Sequence, residues 1–186
     1  SSAGFAFYRN RERTATRFAI VKKDLYEFCG RFGQGASGKY LPGWVLELDR
    51  DRARALCEGY FSGDGYRCHR SGSKWNVTTV SRGLAVSFAI LAQRAFGVVA
   101  SVREQRVKPK TIIEGRVVNQ RMQYILTVPD RNTSGRVDGS YGWKYVRSNE
   151  PCGVEDVYNI AVEEDESYCA DGAIVHNCQP FSAAGK

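Results

Sequence analysis

Apolar positions along this chain change period several times, and each change marks an element. Residues 15–22, ATRFAIVK, form a β-branched and aromatic run that predicts a strand. KKDLYEFCGRFG, starting at Lys22, has helical spacing and stops at glycine. GQGASGKYLPGW reads as a loop. From about Val45 to Gly63, Leu46, Leu48, Ala53, Leu56, Cys57, Tyr60 and Phe61 recur near three and four residues apart. That spacing predicts one helix, ended by Asp64 and Gly65. GYRCHR and KWNVTTVS predict two strands joined by a Ser/Gly turn at 71–73. In the second, Lys74, Asn76 and Thr78 alternate with Trp75, Val77 and Thr79, which predicts one wet and one packed face.

Residues 82–96, RGLAVSFAILAQRAF, predict a second helix ended by Gly97. VVASVREQRV and QRMQYILTV predict a strand pair with a long loop between them. The order is therefore helix, two strands, helix, two strands. PDRNTSGRVDGSYG, residues 129–142, is rich in Gly, Ser, Asp and Asn and marks a domain boundary. WKYVRS, VEDVYNIAVE, SYCAD and AIVH beyond it are short β-like runs. No solenoid-type repeat is visible.

Composition narrows the function classes. With 186 residues, 42% of them hydrophobic, the chain can hold one ordinary domain or two small ones with a real core. Charged residues at 25% do not fit a disordered tail. A net charge of +7 favours a polyanionic partner, and double-stranded DNA is the expectation carried forward. The six cysteines, at 29, 57, 68, 152, 169 and 178, form no CxxC pair, which argues against structural zinc. Most of them read as buried apolar thiols in a reducing cytoplasm, the expected location. No apolar run reaches membrane-spanning length, so no membrane partner is expected. The only methionine is Met122, so the chain is expected to be a piece of something longer.

The first chemical signal is LCEGYFSGDG, Leu56 to Gly65. Gly59 and Gly63 lie four apart on one helix face, where small residues allow two helix backbones to approach. Asp64 sits at the helix C-terminus, where the macrodipole disfavours negative charge. A divalent cation would compensate, and Mg²⁺ prefers few carboxylates plus water and phosphate oxygens. Two such helices side by side would bring two aspartates together for metal-assisted phosphodiester hydrolysis. The run Cys57 to Gly65, with the GQGASGKYLP loop before it and the strand–strand–helix order after it, resembles the LAGLIDADG homing endonucleases over roughly 24–128. The resemblance implies an αββαββ half-domain whose sheet lies in the DNA major groove, with Asp64 as the metal ligand and Mg²⁺ as the cofactor of any nuclease activity. It implies that Arg67, Arg70, Lys74, Asn76, Arg103, Gln105 and Arg106 face DNA. Only one such motif is present, and the family needs two, in one chain or from a homodimer. Residues 1–45 resemble the tail of a preceding repeat.

The second signal is His176-Asn177-Cys178. An Asn side-chain amide can attack its own backbone carbonyl, closing a succinimide and breaking the next peptide bond, if geometry is held and the leaving amine is protonated. A neighbouring His handles protons near neutral pH, and a following Cys can first accept an acyl group. DVYNIAVEEDESYCADGAIVHNC, Asp156 to Cys178, resembles the C-terminal splicing motifs of inteins. The resemblance implies that Cys178 receives the N-extein, that Asn177 cyclises and that His176 assists it, with no cofactor needed. Asn159 and Glu166 stand where inteins commonly have Asp and His, positions that assist the late steps. No Thr-x-x-His block exists in the chain, so splicing is expected only in trans, with an N-terminal intein fragment as partner. The tail CQPFSAAGK resembles the catalytic loop of DNA cytosine-5 methyltransferases, which implies such a host.

The expected fold is α+β. Residues 1–45 would be the tail of a preceding repeat, 46–128 a LAGLIDADG-type repeat, 129–142 a linker, 143–177 β-strands completing a Hint-type all-β horseshoe, and 178–186 the start of the C-extein. Two other readings stay open: a single-motif endonuclease acting as a homodimer, and a non-catalytic DNA-binding domain.

Overall fold

The computed structural model describes the chain except residues 1–6, 69–73, 108–109, 114, 133–134, 140, 152, 155, 157, 159, 161, 163–165, 171 and 177–186. In chain order the elements are β1 (Tyr8–Arg11), β2 (Thr16–Ala19), α1 (Lys23–Gly30), α2 (Gly43–Leu46), α3 (Arg50–Asp64), β3 (Gly65–Cys68), β4 (Lys74–Thr79) and α4 (Arg82–Phe96). Then come β5 (Ser101–Gln105), β6 (Lys110–Ile113), β7 (Arg116–Asn119), β8 (Gln123–Pro129), β9 (Gly135–Asp138), β10 (Tyr141–Lys144), β11 (Ser167–Ala170) and β12 (Ala173–His176).

The central unit is a four-stranded antiparallel sheet in the order β3-β4-β8-β5, with α3 and α4 on one face. This is the expected helix–strand–strand–helix–strand–strand order, with two differences. The helix expected from Val45 is two helices. Asp49 interrupts it because its side chain accepts the backbone N–H of Arg52 at 2.9 Å, capping α3 at a new start. The long loop between the last two strands holds a hairpin, β6 paired with β7, turning at Gly115.

Core packing explains why these helices sit where they do. Ala53, Cys57 and Phe61, one turn apart on α3, are fully buried. They share one apolar cluster with Val45 of α2, Phe88, Leu91, Ala92 and Ala95 of α4, Val77 of β4, and Leu126 and Val128 of β8. Phe61 lies within 6.2 Å, centroid to centroid, of both Trp75 and Phe96, so it touches sheet and second helix together. The helices run antiparallel: Arg50 and Arg54 at the start of α3 both donate to the Ala95 carbonyl at the end of α4. That supplies cations where α4 has unpaired carbonyls. Gly97 ends α4 in the left-handed region, φ 67°, and Ser81 caps its start by accepting from Leu84 N–H at 3.1 Å.

Buried Ser81 also donates to the Lys39 carbonyl, which ties the 33–41 loop to α4. Gly33 makes that loop possible: its φ is 83°, and a side chain there would run into the Gly38 carbonyl. Residues 129–142, expected as a linker, carry β9 and the start of β10. Asn132 accepts from Val99 N–H at 2.7 Å and donates to the Gly97 carbonyl, and Lys144 donates to the Ala100 carbonyl at 2.6 Å. Desolvation holds the Lys144 ammonium below the usual lysine range. Among the described residues no helix is long and apolar enough to cross a membrane.

Cys57 offers a pH test of this core. Burial first, then the Glu58 carboxylate, pushes its thiol up to about 12 from 9.0. Between those two values the unfolded chain loses a proton that the folded chain keeps, so stability falls as pH rises through that window. The slope expected is about 1.4 kcal/mol per pH unit at most. Urea unfolding at pH 8, 9 and 10 checks it: Cys57→Ala should flatten the decline, and an unchanged decline would place its source elsewhere.

Candidate functional site

Three surfaces carry the residues singled out above. The first is the exposed side of α3. Gly59 and Gly63 are both exposed, and a Cβ built on either would meet nothing within 4 Å. This face is open for a second helix. A groove of about 420 Å³ runs beside it, lined among others by Phe32, Lys39, Leu41, Gly59, Tyr60 and Asp64. Asp64 is the last residue of α3 and is exposed. Tyr60 stacks on Phe88 with centroids 4.1 Å apart. Burial, and then the neighbouring Asp64 carboxylate, pushes its phenol up to about 12. Among the described residues no group of three or more His, Cys, Asp or Glu could hold a metal ion. Asp64 offers one exposed carboxylate, and Mg²⁺ held there would need a further ligand beside it. The groove residues of the 33–41 loop escaped the sequence reading because nothing in a Gly/Ser-rich loop signals packing beside α3.

The second surface is the sheet face turned away from the helices. Directly paired residues in an antiparallel sheet share a face, so the register sorts the expected DNA-facing residues. Lys74, Asn76, Arg103 and Gln105 lie on the outer face, together with Tyr66, Thr78, Ser101 and Thr127. Arg103 and Gln105 are exposed, as is Arg106 just beyond β5. Two of the expected residues sit differently from the rest. Arg67 pairs with Trp75 and shares the helix-side face; its guanidinium lies 4.9 Å from the Trp75 ring and 3.0 Å from the Asp130 carboxylate. Asn76 is on the outer face but only 7% exposed, and its Oδ1 accepts from the Thr127 hydroxyl at 2.7 Å. The wet-face alternation fails there because neighbouring strands flank β4 on both sides. Tyr66, 55% exposed and beside Asn76, was missed. Only the strand register, invisible in a single sequence, assigns its face. Arg70 lies outside the described residues.

The third surface is the β11–β12 hairpin. Ser167 is paired with His176, so His176 and Glu166 stand at the hairpin's open end. Glu166 has a φ of 48°, the left-handed region for a non-glycine residue. At the closed end Gly172, φ 82°, lies against Ile90 and Val86 of α4, where a side chain would press on Ile90 at 3.3 Å. Asn159, Asn177 and Cys178 lie outside the described residues.

Residues 51–127 match the family described as LAGLIDADG-like domain. They form a LAGLIDADG-like domain. That stretch runs from the first turn of α3 into β8, so the open glycine face, Asp64 and the four-stranded sheet up to Thr127 of β8 belong to it. LAGLIDADG domains are of the homing-endonuclease type, bind DNA, often dimerise and generally use a divalent metal such as Mg²⁺. The chain is also similar to iron-sulfur cluster assembly SufBD family proteins of Mycobacterium tuberculosis and Mycobacterium bovis. Each is 30% identical over 151 residues, covering 78% of this chain and 18% of the relative. The chain thus spans less than a fifth of the length of these curated relatives.

Proposed function

We propose that this chain is the C-terminal part of an intein, in which the LAGLIDADG-like domain precedes a terminal splicing segment from about residue 143 to Asn177. The observation that carries the reading is the run DVYNIAVEEDESYCADGAIVHNC, which ends in His176-Asn177-Cys178. The hairpin supports it, because His176 and Glu166 share one end, next in sequence to Asn177. The similarity to long relatives supports it too. A stretch under a fifth of a protein named for iron-sulfur cluster assembly, yet overlapping a LAGLIDADG-like domain, is what an inserted element is expected to look like.

The chemistry follows from the tripeptide. The Cys178 thiolate attacks the carbonyl carbon of the ester or thioester that joins the N-extein to the N-terminal partner's nucleophile. That bond breaks, the partner's oxygen or sulfur leaves and takes up a proton, and the N-extein becomes a thioester on Cys178. The Asn177 side-chain nitrogen then attacks its own backbone carbonyl carbon, and the bond to Cys178 nitrogen breaks. His176 supplies the proton that the leaving amine takes. Asn159 and Glu166 assist these late steps where inteins commonly place Asp and His. The first acyl shift, which a Thr-x-x-His block assists in inteins, comes from an N-terminal intein segment. The tail CQPFSAAGK makes a DNA cytosine-5 methyltransferase the proposed host, with Cys178 later serving as its nucleophile.

Intact-mass measurement over time tests the reading. Alone, the chain should release the Cys178–Lys186 peptide slowly; mixed with an N-terminal intein fragment, it should transfer that peptide to the fragment's extein. A mass unchanged in both conditions refutes it.

A second reading, a homodimeric endonuclease, is favoured by the open Gly59/Gly63 face alone. Two copies meeting there would bring Asp64 and its counterpart together, and bound Mg²⁺ would act as the Lewis acid for phosphodiester hydrolysis. Gly59→Leu should leave the monomer's unfolding midpoint within a few degrees, since no atom lies in its way. It should abolish self-association in sedimentation. A wild-type chain that stays monomeric at every concentration, with or without DNA, would remove this reading.

A further inference from the structure

Charge is unevenly distributed along the chain. Residues 7–23 contain six cations, Arg9, Arg11, Arg13, Arg17, Lys22 and Lys23, against one acid, Glu12, so five of the net seven positive charges lie in this stretch. The same stretch holds the β1–β2 ribbon, which turns at Glu12–Ala15, where Glu12 N–H donates to the Ala15 carbonyl at 2.8 Å. Every residue of both strands is exposed, and none of residues 7–23 belongs to the buried core. A lone two-stranded hairpin is marginal in water, so this ribbon gains most from a partner that binds it.

The register distributes the cations. Arg9 and Arg11 share a face with Phe18, and the Arg9 guanidinium lies 5.9 Å from the Phe18 ring. Arg17 lies on the opposite face beside Asn10 and Tyr8, and Arg13 sits in the turn. The closest acid, Glu12, reaches only Arg17, at 3.6 Å between two exposed groups. Cations on both faces and at the tip cannot converge on one row of bases, but they can reach the two phosphate rows that bound a groove. A two-stranded ribbon is narrow enough for the major groove.

We propose that the β1–β2 ribbon is a phosphate-binding arm for duplex DNA that supplies affinity without sequence preference. The inference rests on the DNA-binding reading of the LAGLIDADG-like domain. It adds a contact surface outside residues 51–127, whereas the outer sheet face is left to read sequence.

The test uses the full chain and random-sequence duplex, with affinity measured across a salt series. The triple variant R9Q/R11Q/R17Q should reduce the slope of log affinity against log salt by roughly 2 to 3, since each lost phosphate contact removes about 0.9. R9K/R11K/R17K should keep the wild-type slope, which separates loss of charge from damage to the ribbon. The loss should be equal on duplexes of unrelated sequence. A slope unchanged in the Gln variant overturns the inference while leaving the DNA-binding reading intact. So does a Gln-variant defect seen only on single-stranded DNA. A wild-type chain with no salt-dependent duplex binding overturns both.

Discussion

Phe61→Ala is expected to lower the unfolding free energy by about 3–5 kcal/mol. Its ring is fully buried where α3 meets both Trp75 of the sheet and Phe96 of α4. The cavity left behind would border three elements already held in register by β-pairing and by the Arg50 and Arg54 contacts to Ala95, so it could not collapse easily. A domain of this size has roughly 5–15 kcal/mol to lose, so the variant should be close to unfolded at moderate urea concentrations. Asp64, three residues on, should lose its fixed position with it. Urea unfolding gives the value directly; a loss below about 1 kcal/mol would mean that the junction repacks and that α3 is held by its ends.

Asn177→Ala is expected to abolish release of the Cys178–Lys186 peptide rather than slow it. Alanine has no amide nitrogen to close the succinimide, so the bond to Cys178 has no intramolecular route to cleavage. The preceding acyl transfer needs only the Cys178 thiolate, so a branched product with the N-terminal fragment should accumulate, visible as an added mass that hydroxylamine removes. Asp64→Ala should leave this chemistry untouched. Peptide release from the Asn177→Ala chain at the wild-type rate would exclude Asn cyclisation and turn attention to the endonuclease reading.

The central domain was readable in the sequence because local signals agreed with the tertiary fold. The α4 bounds, Arg82 to Phe96 with Gly97 in the left-handed region, follow from an apolar stripe closed by a glycine. The break at Glu47–Asp49 was not readable by periodicity, because Leu46 lies seven residues before Ala53 and so fits one continuous stripe, while the Asp49 cap overrides it. The face of Arg67 needed the β3–β4 register, which shifts every assignment if moved by one residue. Asn76 shows the limit of alternation: a polar residue on an outward face is covered when both neighbouring strands carry side chains large enough to close over it. The proposed His-Asn-Cys chemistry rests on three adjacent residues, because succinimide closure is local. The Gly59/Gly63 face was legible because its requirement is only the absence of side chains.

The β6–β7 hairpin leaves the sheet after Gln105 and the chain returns at Gln123, its direct partner. The strand register is thus closed at this rung whatever lies between. Lengthening a flexible segment costs only about 0.6 kcal/mol per doubling, and among the described residues none of the hairpin belongs to the core cluster. Residues 106–122 can therefore grow, shrink or be exchanged as a cassette while α3, Asp64 and the open Gly59/Gly63 face stay in place. The segment can vary in length without disturbing how α3 and α4 pack on the sheet.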